Sequence, residues 1–245
     1  MPPFMDLAET VGNMIAQVVV AQTPTVGQHA ITSMTLKTCG AREVNITTKK
    51  ARQLLEASVL KGMLKPYLQY LIRSPSPFID TEALGQLSPD LISSPSIAKD
   101  LSIECIISPE VPAKYLSNGD GSAVYWNLLS VDVGMADGST TSITGTVFGS
   151  TPHIVRVDNE DITMKPEGNY LLTFQNEDRP GAISEVLGVM SREGVNVASM
   201  NLTRDPTGES LARCFISLDD EPSDRAMETL RARGTLHNVA KIQLR

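Results

Sequence analysis

The first twenty residues carry Phe4, Leu7, Ala8, Val11, Met14, Ile15 and Val18 at steps of three and four, the apolar stripe of an amphipathic helix. Pro2 and Pro3 fall in its first turn, where proline is tolerated. After TPTVGQ the period changes to two, with Met34 and Leu36 alternating against Ser33, Thr35 and Lys37, which predicts a strand. From Thr48 the helical period returns through Leu54, Leu55, Val59, Leu60, Met63, Leu64, Tyr67, Leu68 and Leu71, a long helix with a broad buried side. Residues 73–95 are rich in proline and serine and only weakly periodic, which predicts an irregular excursion with one short turn of helix. SPSIAKD then reads as a short helix, followed by a strand at 103–107. The runs AVYWNLLSVDVGM and TSITGTVFG flank Asp137-Gly138, a hairpin signal that predicts an antiparallel pair.

IVRVDNEDITM predicts a strand, a turn and a linking strand, and a second compact unit starts near Glu167. Within it an apolar strand at 170–174 leads through Asn176-Glu177-Asp178-Arg179-Pro180-Gly181 into a helical stripe of Ile183, Val186, Leu187 and Met190 that stops at Gly194. Strands at 195–200 and 211–218, a helix at 222–233 and a strand at 239–244 complete the order βαββαβ, the ferredoxin-like split βαβ arrangement.

Composition narrows the classes. The 245 residues are 41% hydrophobic and 20% charged, which is globular, and the net charge of −7 disfavours a nucleic-acid partner. No apolar run approaches the roughly 18 residues of a membrane span, and MPPFMDLAET lacks a basic region followed by an apolar one. The expectation is a cytoplasmic protein with no membrane partner. Cys39, Cys105 and Cys214 form no CxxC pair and His29, His153 and His237 no HxxxH, so no metal site is expected and the cysteines read as small core residues.

The text NEDRPGAISEVLGVMSREGVNVASMNLTRD resembles the opening half of an ACT domain, a small-molecule sensing module of amino-acid metabolism. Upstream, GTVFGSTPHIVRVDNEDITMKPEGNYLL is similar to the join between the allosteric substrate-binding domain and the ACT domain of long-form D-3-phosphoglycerate dehydrogenases. PPFMDLAETVGNMIAQVV is similar to the helix by which those enzymes leave their catalytic core. The resemblance implies an α/β (α+β) chain in three parts. These are an exit helix or linker at 1–24, a mixed-sheet allosteric substrate-binding domain at 25–160, and an ACT domain at 168–245. No GxGxxG follows a strand here, so the nucleotide-binding and catalytic residues of that family are missing and no catalytic residue is assigned. The expectation is a regulatory part, by truncation, whose parent would hold NAD in a catalytic domain outside this chain and, if plastid, would have carried a transit segment.

The implied effector is L-serine or a similar small amino acid, bound where ACT domains pair as a homodimer or tetramer. Asp178, Arg179, Pro180 and Gly181 join a strand to a helix whose first N–H groups suit a carboxylate, while Asp178 offers charge to an ammonium group. On residue type alone, Asp178 could equally cap that helix. The resemblance adds Asn196, which in the family reaches the effector across the dimer interface, and Asn176 as a further polar contact. Lys61, His153 and Arg156 are candidates for an anion site in the substrate-binding domain. His153 stands where the family commonly has arginine. Two other readings remain open at this point: the small subunit of an L-serine dehydratase, dependent on an iron–sulfur partner, and a free-standing ACT amino-acid sensor.

Overall fold

Two apolar helices packed across a sheet open the fold, and a smaller split βαβ unit follows. The computed structural model describes residues 2–22, 31–39, 48–73, 80–108, 125, 127–158, 160–204 and 211–244. Contacts divide the chain into one unit at Met1–Asp158 and another at Asn159–Arg245.

The first unit contains α1 (Pro2–Gln22), β1 (Ile31–Cys39), α2 (Lys49–Arg73), α3 (Thr81–Gly85), α4 (Ser94–Asp100), β2 (Glu104–Ser108), β3 (Leu128–Met135), β4 (Thr140–Phe148) and β5 (Thr151–Val157). Its strands lie side by side in the order β2, β1, β3, β4, β5. β1 runs parallel to β2, with Thr35 opposite Ile106, and antiparallel to β3, with Leu36 opposite Val131, so the sheet is mixed as expected. The β3–β4 pair is the antiparallel hairpin that Asp137-Gly138 signals, with Gly138 at φ 82°.

α1, which covers most of the segment expected as an exit helix or linker, is packed into this unit's core. Leu7, Ala8, Val11, Met14, Ile15 and Ala16 are fully buried. A Cβ on Gly12 would overlap the Val59 carbonyl, and one on Gly62 the Glu9 carbonyl, so glycine on each helix lets the two backbones touch. Gly145 of β4 plays the same part under α1, since a side chain there would meet Leu7 and Val11. This packing corrects one sequence expectation. The segment Pro3–Ala21 is long and apolar enough to cross a membrane, but its apolar side chains are spent on α2 and the sheet, as in a core helix.

The second unit contains β6 (Glu160–Met164), β7 (Tyr170–Glu177), α5 (Ala182–Arg192), β8 (Val197–Arg204), β9 (Leu211–Leu218), α6 (Asp224–Arg231) and β10 (Leu236–Gln243). From β7 onward the order is βαββαβ, and the antiparallel ladders run β10-β7-β9-β8, as a split βαβ fold requires. Leu172, Phe174, Cys214, Ile216 and Leu218 turn one sheet face toward Val186, Val189 and Met190 of α5 and Met227 and Leu230 of α6. β6 belongs here because Glu160 pairs with Arg213 of β9 at 2.9 Å and the Asn201 amide of β8 donates to the Thr163 carbonyl.

Several boundaries differ from the sequence pattern, two of them for a visible reason. α6 starts at Asp224, because the Ser223 hydroxyl accepts from the Ala226 N–H and caps the helix there. β10 starts at Leu236, ahead of the expected 239, because a bulge between His237 and Ala240, with Asn238 at φ 53°, interrupts the alternation.

Candidate functional site

In a split βαβ fold the two outer strands of each βαβ unit are parallel, so the ends of β7 and β8 share one edge of the sheet. The start of α5 lies at that same edge. The chain turns there through Asp178, Arg179, Pro180 and Gly181, and Gly181 occupies the N-cap of α5 at φ 87°, with nothing within 4 Å of where its Cβ would stand. Glycine adopts this left-handed conformation without penalty. No side chain caps α5, so Asp178 is not the helix cap that residue type alone allowed, and the Ile183 and Ser184 N–H groups of the first turn have no acceptor within the helix. The positive end of the helix dipole therefore faces this edge.

Asn176, at the end of β7, is 2% exposed. Its Nδ2 donates to the Glu177 carbonyl at 2.7 Å, while Oδ1 is buried with no partner among the described residues. A buried acceptor left unpaired costs roughly 1–3 kcal/mol. Asn176 is aligned across the ladder with Ala212 of β9, and Ala212 with Arg204 of β8. Directly paired residues point to the same face, so Asn176 and Arg204 stand on the helix side of the sheet at one end. Arg204 Nε pairs with Asp178 Oδ2 at 2.8 Å.

The remaining charges form a separate bridge. Arg179 lies 2.9 Å from Glu185 and 3.5 Å from Glu177, and Arg233 reaches the other Glu185 oxygen at 2.7 Å. The hydrogen bond from Arg179, helped by Arg233, holds the Glu185 carboxyl below the usual carboxylate range, and the same bond raises Arg179. Arg179 is thus committed to two carboxylates.

Asn196 lies at the opposite end of α5, in the turn before β8, where its amide donates to Asp219 at 2.6 Å. The eleven residues of α5 rise about 16 Å, so within one chain Asn196 and the Asp178–Gly181 turn are not brought together. Asn196 lines an open groove of about 490 Å³ with Leu187, Met190, Val195, Val197 and Met200. Beside it β8 is the edge of the sheet, with Met200 and Leu202 nearly half exposed.

The anion triad of the first unit does not assemble. Lys61 Nζ is 2.8 Å from Glu9 on α1. α1 covers the Gly145 face of β4, whereas the His153 ring packs edge-on against Phe148, three residues on and so on the other face. His153 Nδ1 also contacts the Thr151 carbonyl at 3.1 Å, and Arg156 stands opposite Thr144. Burial pushes the thiols of Cys105 and Cys214 up to about 12, Cys105 with help from Glu56, so both are protonated at neutral pH. Among the described residues no three His, Cys, Asp or Glu side chains are gathered as a metal would need.

Sequence reasoning missed Arg204, the Glu185–Arg233 bridge and the Glu160–Arg213 pair. For Arg204 a signal existed: it ends the strand NLTR, and the βαββαβ order puts that end beside the Asp178 turn. The other two join residues about fifty positions apart, and nothing in the local pattern links them.

The chain carries an ACT domain, whose family model matches residues 170–235. It is 28% identical over 243 residues to a D-3-phosphoglycerate dehydrogenase of Methanocaldococcus jannaschii, covering 99% of this chain and 38% of that protein. It is 27% identical over 233 residues to one from Archaeoglobus fulgidus, covering 94% and 36%. It is 24% identical over 202 residues to the chloroplastic D-3-phosphoglycerate dehydrogenase 2 of Arabidopsis thaliana, covering 78% and 29%. The chain is thus homologous to these dehydrogenases over most of its own length, and spans less than two fifths of theirs.

Proposed function

We propose that this chain is a regulatory, effector-binding part of a D-3-phosphoglycerate dehydrogenase, and that its ACT domain senses L-serine. The observation that carries the reading is that Asn176, whose Oδ1 is buried and without a partner among the described residues, lies at the end of the strand whose next turn leads into the uncapped start of α5. A zwitterionic amino acid complements both features. Its ammonium group donates to Asn176 Oδ1 and pairs with Asp178, and its carboxylate takes the free N–H groups of the first helical turn. Gly181 leaves room for that approach.

Asn196 joins this site through a second copy of the chain. A two-fold interface is self-complementary, so β8 edges pairing about such an axis run antiparallel and set the start of one strand against the end of the other. Asn196, just before Val197, then faces Arg204 and Asp178 of the partner subunit. The exposed Met200 and Leu202 on the unpaired edge favour this pairing, because it removes apolar surface and open backbone groups from water. Serine at the seam would shift the catalytic part only by binding one subunit arrangement more tightly than another. The dehydrogenation itself, with NAD, belongs in this reading to the catalytic part of the parent enzyme. The dehydrogenase relatives, aligned over nearly the whole chain, favour it over a dehydratase subunit or a free-standing sensor.

Isothermal titration of the 245-residue chain with L-serine, glycine and D-serine tests the proposal, with sedimentation run alongside. Saturable heat selective for L-serine on a dimer or larger assembly supports it. A folded monomer that binds none of the three overturns it.

A further inference from the structure

We infer that Arg204 is a selectivity latch on the effector site. It closes on Asp178 when no effector is bound and transfers to the effector's carboxylate when a zwitterion enters. The inference rests on the effector reading above and adds a residue that neither the motif nor the domain match assigns.

The ion pairs at this edge of the sheet are unequal. Arg179 is held by both Glu177 and Glu185, and Arg233 by Glu185. Moving either cation would strip a carboxylate that braces the start of α5. Arg204 differs, since its side chain is 79% exposed and the pair it makes is with Asp178, itself 35% exposed. Exposed pairs of this kind are weak, so Arg204 can leave Asp178 at little cost.

Its position supplies the geometry of the exchange. Arg204, Ala212 and Asn176 form one cross-strand row on the helix side of the sheet, and the middle residue is the smallest that carries a side chain. Arg204 pairs with Asp178, two residues after Asn176 in the chain, and Ala212 puts no long side chain between the two ends of the row. A ligand ammonium that reaches Asn176 must compete with the guanidinium for Asp178.

The chemistry of the competitor decides the outcome. An amine without a carboxylate displaces Arg204 and leaves a guanidinium without a counter-charge at its side. An α-amino acid replaces one ion pair by two, ammonium on Asp178 and carboxylate on Arg204, and a planar guanidinium suits a carboxylate in two-pronged contact. A carboxylate without an amine gains Arg204 but strands Asp178 and leaves Asn176 unpaired. The latch thus selects for molecules bearing an ammonium and a carboxylate on one carbon. In a β8-paired dimer the same residue stands at the seam, so its transfer is sensed by both subunits.

The test uses the full chain, as wild type and Arg204→Ala, titrated with L-serine, with ethanolamine (serine without its carboxylate) and with 3-hydroxypropionate (serine without its amine). Binding is followed by the 1H–15N signals of Asn176, Asp178 and the Arg204 Nε–H. In the wild type L-serine shifts all three and the two fragments bind far more weakly. In Arg204→Ala, L-serine weakens about tenfold, the loss of one charge-assisted pairing, while ethanolamine tightens severalfold because Asp178 is released. If L-serine binds the wild type but ethanolamine does not tighten in the variant, the latch is wrong and the effector site stands. If L-serine shifts none of these signals in the wild type, the effector reading fails and the latch with it. An Arg204→Lys variant separates charge from shape. It keeps the rejection of ethanolamine if charge alone closes the latch, and loses most of the L-serine affinity because the two-pronged contact is gone.

Discussion

The crossing of α1 with α2 and the start of α5 are built from the same ingredients, a helix, a glycine and a Glu–basic pair, and they do opposite things. At the crossing, Gly12 and Gly62 are glycine because a Cβ would strike the carbonyl of the other helix. Lys61 there is closed on Glu9, and the surrounding side chains are buried. At the start of α5, Gly181 is glycine because of its backbone angle, with open space where a side chain would go, and a buried acceptor beside it lacks a donor. The first region has spent its interactions on itself, and the second has kept some back. A glycine that excludes a neighbour's side chain reports packing, whereas a glycine with open space around its would-be Cβ reports a backbone angle.

The contrast breaks most visibly at the crossing. Replacing both Gly12 and Gly62 with alanine forces backbone apart from backbone, and stability to urea should fall by about 3 kcal/mol or more, at the upper end of overpacking costs. A loss under about 0.5 kcal/mol, the scale of surface substitutions, would show that the helices do not touch there. Next in size is Glu160→Gln. Removing one partner of the mostly buried Glu160–Arg213 pair should cost about 3 kcal/mol, with Glu160→Leu/Arg213→Leu less damaging than either single change. A double variant as unstable as the sum of the singles would contradict the pairing.

At the start of α5 the effects on stability are smaller and those on binding larger. Gly181→Ala should cost about 1–2 kcal/mol through its left-handed backbone, with no steric term, and should weaken L-serine in calorimetry. Asn176→Leu should leave stability within about 1 kcal/mol of wild type, because it loses one bond and removes one unpaired acceptor together, yet abolish the L-serine heat. A large drop in melting temperature would mean Asn176 serves the fold and not a ligand. The smallest effect concerns pH. Glu185 titrates below its ordinary value of 4.5 because of Arg179 and then Arg233, so its stabilisation is fully present above that value. It is lost as pH falls through the lowered one. Melting curves of wild type and Glu185→Gln should differ at pH 7 and converge toward pH 3.

Much of the architecture was legible because it is written in short periods. The stripe from Phe4 to Val18, the Asp137-Gly138 turn and the βαββαβ order each follow from residues a few positions apart. The bulge at Asn238 was not legible, because an interrupted alternation looks like the absence of a strand. The membrane-length apolarity of α1 does not show as an unbroken apolar run, since threonine, glycine, asparagine and glutamine interrupt it while the average stays apolar. Asn176 and Asp178–Gly181 were legible as one polar turn, which the structure places between β7 and α5. Asn196 was legible as a residue but its separation from them was not, because it depends on the length of α5. Lys61 is held by Glu9 of α1, while His153 and Arg156 stand opposite Thr146 and Thr144 of β4, a separation that residue types alone do not reveal.

The sequence by itself determined the elements, their order and the chemical character of the turn into α5, because backbone preference and hydrophobic period act between near neighbours. Only the tertiary structure decided which charges are already spent. Arg179 closes on Glu177 and Glu185, Asp178 on Arg204, and Asn176 Oδ1 on nothing. Those pairings depend on which strand ends share an edge of the sheet, a fact that arises only when residues far apart in the chain are packed into the same few ångströms.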